Sequence, residues 1–331
     1  MKNNHIEPSW SLVNIWNEQL TFGREQKKLY PRDYIWASDI GKNQYERWLK
    51  MNAVEPDFDF DERILRKFEA GNFFERIMGF VLVCAGIMIY DNKSYRIPAD
   101  AEHLEVSVRP DFIAGGKPNW EEAKKKIGEE LLFKLMPNLG RIAEALVGHF
   151  SEKYPTGMKE LVFEIKSINS QVFWSKKDYL QEAYPHHVMQ LFTGMKATKL
   201  DEGHLLYISK DDLTVAEFAI SLKSVALNEI WEKDVKEMTH YIRDKVEPLK
   251  PQDVVFDPRS KLKFQFNKKF YAIEGCYVGN WEIGWSNYIS RITGIKGENQ
   301  KDVAEKWESK IKGEMKDKND ELKAKFKESL K

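Results

Sequence analysis

The chain has 331 residues, 42% hydrophobic and 31% charged, which excludes a fibrous or largely disordered protein. Lysine plus arginine (52) equals aspartate plus glutamate (52), so net charge alone does not argue for a polyanionic partner, and any basic surface has to be local. Cys84 and Cys276 are the only two cysteines, too few for a disulfide framework or for a four-cysteine metal centre. No stretch reaches the ~20 apolar residues of a membrane span, and the start MKNNHIEPSW lacks an apolar signal core, so a cytoplasmic protein is the expectation.

In chain order, Ser38 to Met51 reads as a short helix opened by a serine cap. Asp57 to Arg63 (DFDFDER) reads as an acidic lead-in to the next helix, with a metal loop as the other reading. From Ile64 to about Cys84 the spacing is helical, and the stripe Phe68, Gly71, Glu75, Met78, Leu82 places Glu75 on the apolar face. A carboxylate there must find a cation or reach the rim, because an unpaired buried charge is costly. Gly71, one turn earlier, leaves room for a close approach.

The run IMIY after Gly86 reads as a strand, and Leu104 to Ile113 as another, closed by a turn at Gly115-Gly116 with Asp111 near its end. Residues 119 to 153 read as one or two helices broken around Pro137 and Gly140, an insertion between strands. Lys159 to Ser167 (KELVFEIKS) alternates as a strand, so Glu164 and Lys166 project from one face. A helical region from about Ser175 to Ala197 restarts near Pro185 and aligns His187, Gln190 and Gly194. HLLYIS and TVAEFAIS form a hairpin around Lys210-Asp211-Asp212, and a helix from about Lys223 to Val246 stops before Pro248. A Trp-rich stretch, GCYVGNWEIGW, precedes a lysine/glutamate tail from Gly297 to Lys331 that reads as a solvated helix.

Glu75, Asp111 and Glu164, with Lys166 two residues beyond, supply oxygen ligands for a hard divalent cation beside an ammonium, a set suited to phosphodiester hydrolysis. Alone, a Glu-x-Lys on a strand is more often a surface ion pair. The combination resembles the PD-(D/E)XK nuclease superfamily, in its RecB-like and phage exonuclease-like branch, over about Ser38 to Ser221. Arg109-Pro110-Asp111 resembles the first acidic motif and Glu164-Ile165-Lys166-Ser167 the E-x-K motif. Gly71-x-x-x-Glu75 resembles the upstream helix motif, and Gln190 the glutamine of a downstream Q-x-x-x-Y motif whose tyrosine position is here Gly194. The spacing from Asp111 to Glu164 is longer than usual, which the helical insertion would explain.

The resemblance implies an α/β fold with a PD-(D/E)XK core: a central mixed β-sheet flanked by helices, a helical insertion and a helical C-terminal extension. The expected domains are a nuclease domain over 1–294, with the insertion at about 117–157, and a charged helical tail over 295–331. It implies catalytic roles for Asp111, Glu164, Lys166, Glu75 and Gln190, and Mg2+ or Mn2+ held by Glu75, Asp111, Glu164 and the backbone carbonyl of Ile165. Ser167, His187 and Trp174 are candidate substrate contacts; Trp174 could stack on an unpaired base, while His187 could equally line the cleft without contact.

The implied activity is a divalent-metal-dependent DNA nuclease, an exonuclease acting on DNA ends or single strands in recombination or repair. The implied setting is the cytoplasm of a bacterial or phage-infected cell, with a recombination or replication protein as a further partner and no membrane. A structure-specific or restriction-type endonuclease on the same core, and a catalytically silent DNA-binding scaffold, are the alternatives. Many members of this branch hold an iron–sulfur cluster on a W-E-C-x-x-C-x-x-x-x-x-C-like pattern plus one N-terminal cysteine. Here Trp281-Glu282-Ile283, Ser286 and Ile292 stand at that spacing, and Ser38 to Asn43 resembles the first-ligand region without a cysteine. No iron–sulfur cluster is expected; the other reading makes this Trp-rich stretch unrelated core.

Overall fold

The computed structural model describes residues 15–16, 18–20, 29–129, 139–174 and 180–329. Its contacts divide the chain into two compact units, one containing Arg32–Gly41 and Asp61–Asp244, the other Leu29–Pro31, Lys42–Phe60 and Lys245–Lys331. The division expected between 294 and 295 is therefore not where the chain divides. The architecture is α/β, with mixed sheets, flanking helices and a C-terminal helix.

The first unit holds a five-stranded sheet. Its strands are β2 (Met88–Asp91), β5 (Phe112–Gly116), β6 (Met158–Ile168), β7 (Glu202–Ser209) and β8 (Val215–Ser221), in that spatial order. Only β6 and β7 run parallel; the other neighbours are antiparallel. Alternation along β6 builds a core on each face. Val162 packs with Leu191, Met195, Leu205 and Tyr207, and Ile165 packs with Phe74, Phe112 and Ile208. A smaller sheet places β4 (Glu105–Val108) between β1 (Tyr34–Trp36) and β3 (Tyr95–Ile97).

Several expectations need correction. Leu104 to Ile113 is not one strand: β4 and β5 belong to different sheets, and the chain changes sheet at Arg109-Pro110-Asp111. Proline has no N–H to give to a ladder, so the strand ends there. Gly115 and Gly116 are not a closing turn but the last residues of β5. At Gly115, φ is 143° and an added Cβ would stand 2.5 Å from the Lys159 carbonyl oxygen, so only glycine lets β5 lie this close to β6.

Helix α1 (Gln44–Met51) starts later than Ser38 and is capped by Asn43, whose Oδ1 accepts from the N–H groups of Tyr45 and Glu46. Ser38 lies instead in a 3-10 turn. Helix α2 (Glu62–Cys84) is capped by Asp61, which accepts from the Ile64 N–H at 2.8 Å, so the last aspartate of the acidic run serves the helix terminus. Phe68, expected in the buried stripe, is 47% exposed, and the sheet is met by Ala70, Phe74, Ile77, Met78 and Leu82. Apolar residues lie on several sides of α2, so spacing alone does not select its buried line.

Between β5 and β6 come α3 (Trp120–Glu129) and α4 (Leu139–Lys153). Ala143 and Leu146 of α4 and Trp120 and Ile127 of α3 pack on Val83 and Cys84 at the end of α2. Gly140 lies inside α4, and the break expected at Pro137 lies outside the described residues. Cys84 is a buried free thiol, pushed up to about 11 by burial. After β6 come α5 (Ser170–Phe173) and α6 (Pro185–Thr198), with Pro185 in the first turn of α6; the start expected at Ser175 lies outside the described residues. Helix α7 (Val225–Arg243) follows the β7–β8 hairpin.

The second unit contains α1, a hairpin of β9 (Val254–Phe266) and β10 (Lys269–Gly279), short helices α8 (Trp281–Gly284) and α9 (Ile289–Thr293), and α10 (Gln300–Ser329). The hairpin turns at Asn267-Lys268, where φ is 47° and 63°, the left-handed pair of a tight two-residue turn. The tail is not simply solvated. Val303, Trp307 and Ile311 of α10 enter a core with Tyr45, Leu49, Val254, Ile283 and Ile292, and the Trp307 indole donates to Asp253 at 2.7 Å. No described helix is long and apolar enough to cross a membrane.

Candidate active site

The site forms where β5 leaves β6. The register pairs Phe112 with Phe163, so the next step outward brings Asp111 opposite Glu164. The chain then turns away at Pro110, and the Asp111 side chain takes over a bond that the strand no longer supplies: its Oδ2 accepts from the Ile165 N–H at 2.6 Å. Glu164 is 2% exposed. Its Oε1 accepts from the Lys166 ammonium, and its carboxylate also accepts from the Gln190 side chain on α6.

Glu75 reaches the same place from α2 and adds its negative charge to the field at Asp111, Glu164 and Lys166. Its Oε1 accepts from Asn92 Nδ2 at 3.1 Å, and the Asn92 N–H donates to the Asp111 carbonyl at 3.2 Å. Asn92, which sequence reasoning missed, thus ties Glu75 to the backbone of Asp111. It follows β2 with φ of 50°, a conformation asparagine tolerates better than most residues, and that preference was the available signal.

Burial and the neighbouring Glu164 charge raise the Asp111 carboxyl well above its ordinary 3.8, with Lys166 opposing and Glu75 adding. Burial also raises Glu164, against the pull of Lys166. For Lys166 burial works against the charged form, but the surrounding carboxylates outweigh it and hold the ammonium above the usual lysine range. Among the described residues no three His, Cys, Asp or Glu side chains are placed to hold a metal ion together. The donor chemistry nevertheless fits a hard divalent cation: the carboxylates are oxygen donors, Glu164 buried and Asp111 half-buried, and their mutual repulsion is what such an ion would neutralise.

The remaining candidates separate. Ser167 alternates to the other side of β6, where a Cβ added at Gly71 would stand 3.7 Å from its Oγ. His187 Nδ1 is 2.9 Å from the hydroxyl of the buried Tyr207, which also accepts from the Tyr184 N–H, so this histidine is tied into the α6–β7 packing. Trp174 is 45% exposed with its indole donating to Asp212 at 3.1 Å, while Phe173 beside it is fully buried. At Gly194, where the resembled motif has its tyrosine, an added Cβ would crowd Pro110 at 3.3 Å and touch Val162 at 3.4 Å.

Two basic groups lie farther along the same elements. Lys67 lies two turns before Glu75 on α2, and the Lys210 N–H donates to the Ile168 carbonyl at the end of β6. Burial and the charge of Lys67 hold the Lys210 ammonium below the usual lysine range, which places two like charges in one neighbourhood.

In the second unit, Ile283, Ser286 and Ile292 are all buried. Ile283 and Ile292 pack in the core around Trp307, and Ser286 Oγ accepts from the Tyr288 N–H at 3.1 Å. The Glu282 carboxylate, raised by burial, accepts from the Asn43 backbone N–H. This brings the end of the Ser38–Asn43 segment beside Trp281-Glu282-Ile283.

No family model matches the chain, and no curated protein matches it. Among solved structures, SSO0001 aligns over 70% of this chain and 88% of its own, with 12% sequence identity and a TM-score of 0.41, a likeness too weak to identify a fold or an activity.

Proposed function

We propose that the chain is a divalent-metal-dependent DNA nuclease on a PD-(D/E)XK core, an exonuclease acting on DNA ends or single strands in recombination or repair. The observation that carries this reading is the convergence of Asp111, Glu164, Lys166 and Glu75 at the divergence of β5 and β6. Two adjacent carboxylates with raised proton affinity are poor partners for phosphate unless a cation lies between them, which speaks against a silent DNA-binding scaffold. Its setting on this reading is the cytoplasm of a bacterial or phage-infected cell, where the thiols of Cys84 and Cys276 stay reduced.

Asp111, Glu164, Glu75 and the Ile165 carbonyl would hold the magnesium or manganese ion, which when bound supplies a water of lowered pKa and neutralises charge on the phosphate. The chain's own groups do the rest. Lys166 keeps its ammonium at Glu164, where it can orient a water and offset charge developing on the phosphate. Gln190 fixes the Glu164 carboxylate, and Asn92 fixes Glu75. Lys67 and Lys210 offer positive charge to the flanking backbone of the strand.

The test is cleavage of end-labelled single-stranded and duplex DNA, with and without a 5′ phosphate, in Mg2+, Mn2+ or EDTA. Divalent-dependent release of nucleotides from ends is expected. Rapid cutting of covalently closed circles would overturn the exonuclease mode, and no cleavage of any substrate would overturn the reading itself.

A further inference from the structure

The second unit carries a basic ribbon that the proposed hydrolysis does not use. From Pro258 to Ile273 the chain has five basic residues (Arg259, Lys261, Lys263, Lys268 and Lys269) and no Asp or Glu, within a protein of zero net charge. This stretch is the outer part of the β9–β10 hairpin, with Lys263 paired to Ala272 and Gln265 to Phe270 across the ladder.

Alternation gives the ribbon two unlike faces. Phe264 and Tyr271 pack on Phe326 of α10, both at 5.8 Å between ring centroids, and Lys327 covers the rings of Phe264 and Phe266. The opposite face therefore presents Lys263, Gln265, Phe270 and Ala272, all exposed. Phe270 is 82% exposed, which for an aromatic ring is a cost that folding does not recover. Lys261 is neutralised by Glu274 at 2.6 Å and Arg259 by Asp257 at 3.3 Å, but among the described residues no carboxylate pairs with Lys263, Lys268 or Lys269.

We propose that this ribbon is a nucleic-acid contact whose ligand is single-stranded DNA, with phosphates on Lys263 and on Lys268 at the turn, and an unpaired base stacked on Phe270. Unpaired lysines around one exposed ring are the pairing that single strands require: charge for the backbone and a flat apolar face for a base. A duplex keeps its base faces stacked inside and offers the ring nothing. The choice of DNA over RNA rests on the nuclease reading; the contact itself does not. α10 holds the ribbon from behind, so the surface exists without ligand.

The experiment is fluorescence anisotropy of labelled dT20 in EDTA, where no strand can be cut by a divalent-dependent activity, with the full chain. K263Q/K268Q is expected to weaken binding about fivefold or more and to flatten the log–log salt slope by about 1.4, the loss of two phosphate contacts on a single strand. F270A is expected to lose about fivefold or more on dT20 and nothing on duplex DNA. The charge-preserving K263R/K268R is expected to bind like the unmodified protein, which separates lost contacts from a misfolded hairpin. Equal affinity of all four proteins for dT20 would overturn the proposal, as would lysine-dependent binding to phosphatidylserine vesicles without binding to dT20. Tighter binding to rU20 than to dT20 would overturn the choice of DNA. Binding without cleavage in Mg2+ would sink the nuclease reading and leave the ribbon standing; cleavage with unaltered binding by the variants would do the reverse.

Discussion

Asp111→Asn is expected to abolish hydrolysis while making the metal-free protein more stable. Residues facing each other across paired strands have Cβ atoms about 5 Å apart. Two carboxylates at such a distance repel by about 3 kcal/mol at an effective dielectric of ~20, and Lys166 cancels part of this. Asparagine keeps an oxygen for the Ile165 N–H but loses the charge assistance, worth about 1 kcal/mol. The net gain is about 1–2 kcal/mol, or roughly 2–8 °C in melting midpoint for a unit of this size.

The pH dependence has a definite sign. At pH values between its ordinary 3.8 and its raised value, Asp111 keeps in the folded protein a proton that the unfolded chain has released. That contribution is complete below the ordinary value and is lost as pH rises through the raised one. Thermal melts in EDTA across that window should show the unmodified protein losing stability with rising pH and Asp111→Asn staying flatter. In magnesium at 100 times its Kd the unmodified protein should gain about 2.7 kcal/mol, and the variant little. A lower midpoint for the variant in EDTA at neutral pH, or equal magnesium stabilisation of both proteins, would refute the reasoning.

Lys166→Ala should lower the single-turnover cleavage rate at least about a hundredfold, the scale of removing one charge-stabilising donor, with little change in DNA affinity measured in EDTA. Gly194→Tyr should cost about 1–3 kcal/mol of stability by overpacking and reduce activity, because the new side chain must displace Pro110, the neighbour of Asp111; chemical denaturation and cleavage assays read the two effects. Trp307→Ala should destabilise the second unit by about 3–5 kcal/mol, since the indole is buried in its core and bonded to Asp253. Near-ultraviolet circular dichroism should then show loss of the fixed aromatic environment at a lower temperature.

The site was more legible in the sequence than the fold around it, for a physical reason. Glu164 and Lys166 follow from strand alternation, which is local, and Asp111 follows from its place at a strand end. Asn92 was missed because its role depends on β2, α2 and β5 meeting, and nothing local marks that junction beyond a tolerance for left-handed backbone. The β9–β10 hairpin was missed although LKFQF and FYAIE alternate well, because its turn is Asn267-Lys268 rather than Asn-Gly and its lysines resemble a solvated linker. The tail was read as solvated since Val303, Trp307 and Ile311 are diluted among charges, yet they recur every four residues and supply one face of a core.

The switch at Pro110 explains why so few residues suffice to make the site. A strand that continued along β6 would satisfy its N–H groups with backbone carbonyls and leave side chains to alternate outward. The ladder ends at the Phe112–Phe163 pair as the chain turns away at Pro110; this frees the Ile165 N–H, and the Asp111 carboxylate is the group that takes it. The same break brings two acids together at a depth where neither keeps its charge without cost, and one lysine cannot offset both. Zero net charge is then the sum of unlike regions: an acidic centre, the neighbouring Lys67 and Lys210, and a ribbon in which Lys263 and Lys268 have no carboxylate partner among the described residues. Salt should act on the last two far more than on the first, since exposed charges are screened within about 10 Å at 0.1 M salt and buried ones are not.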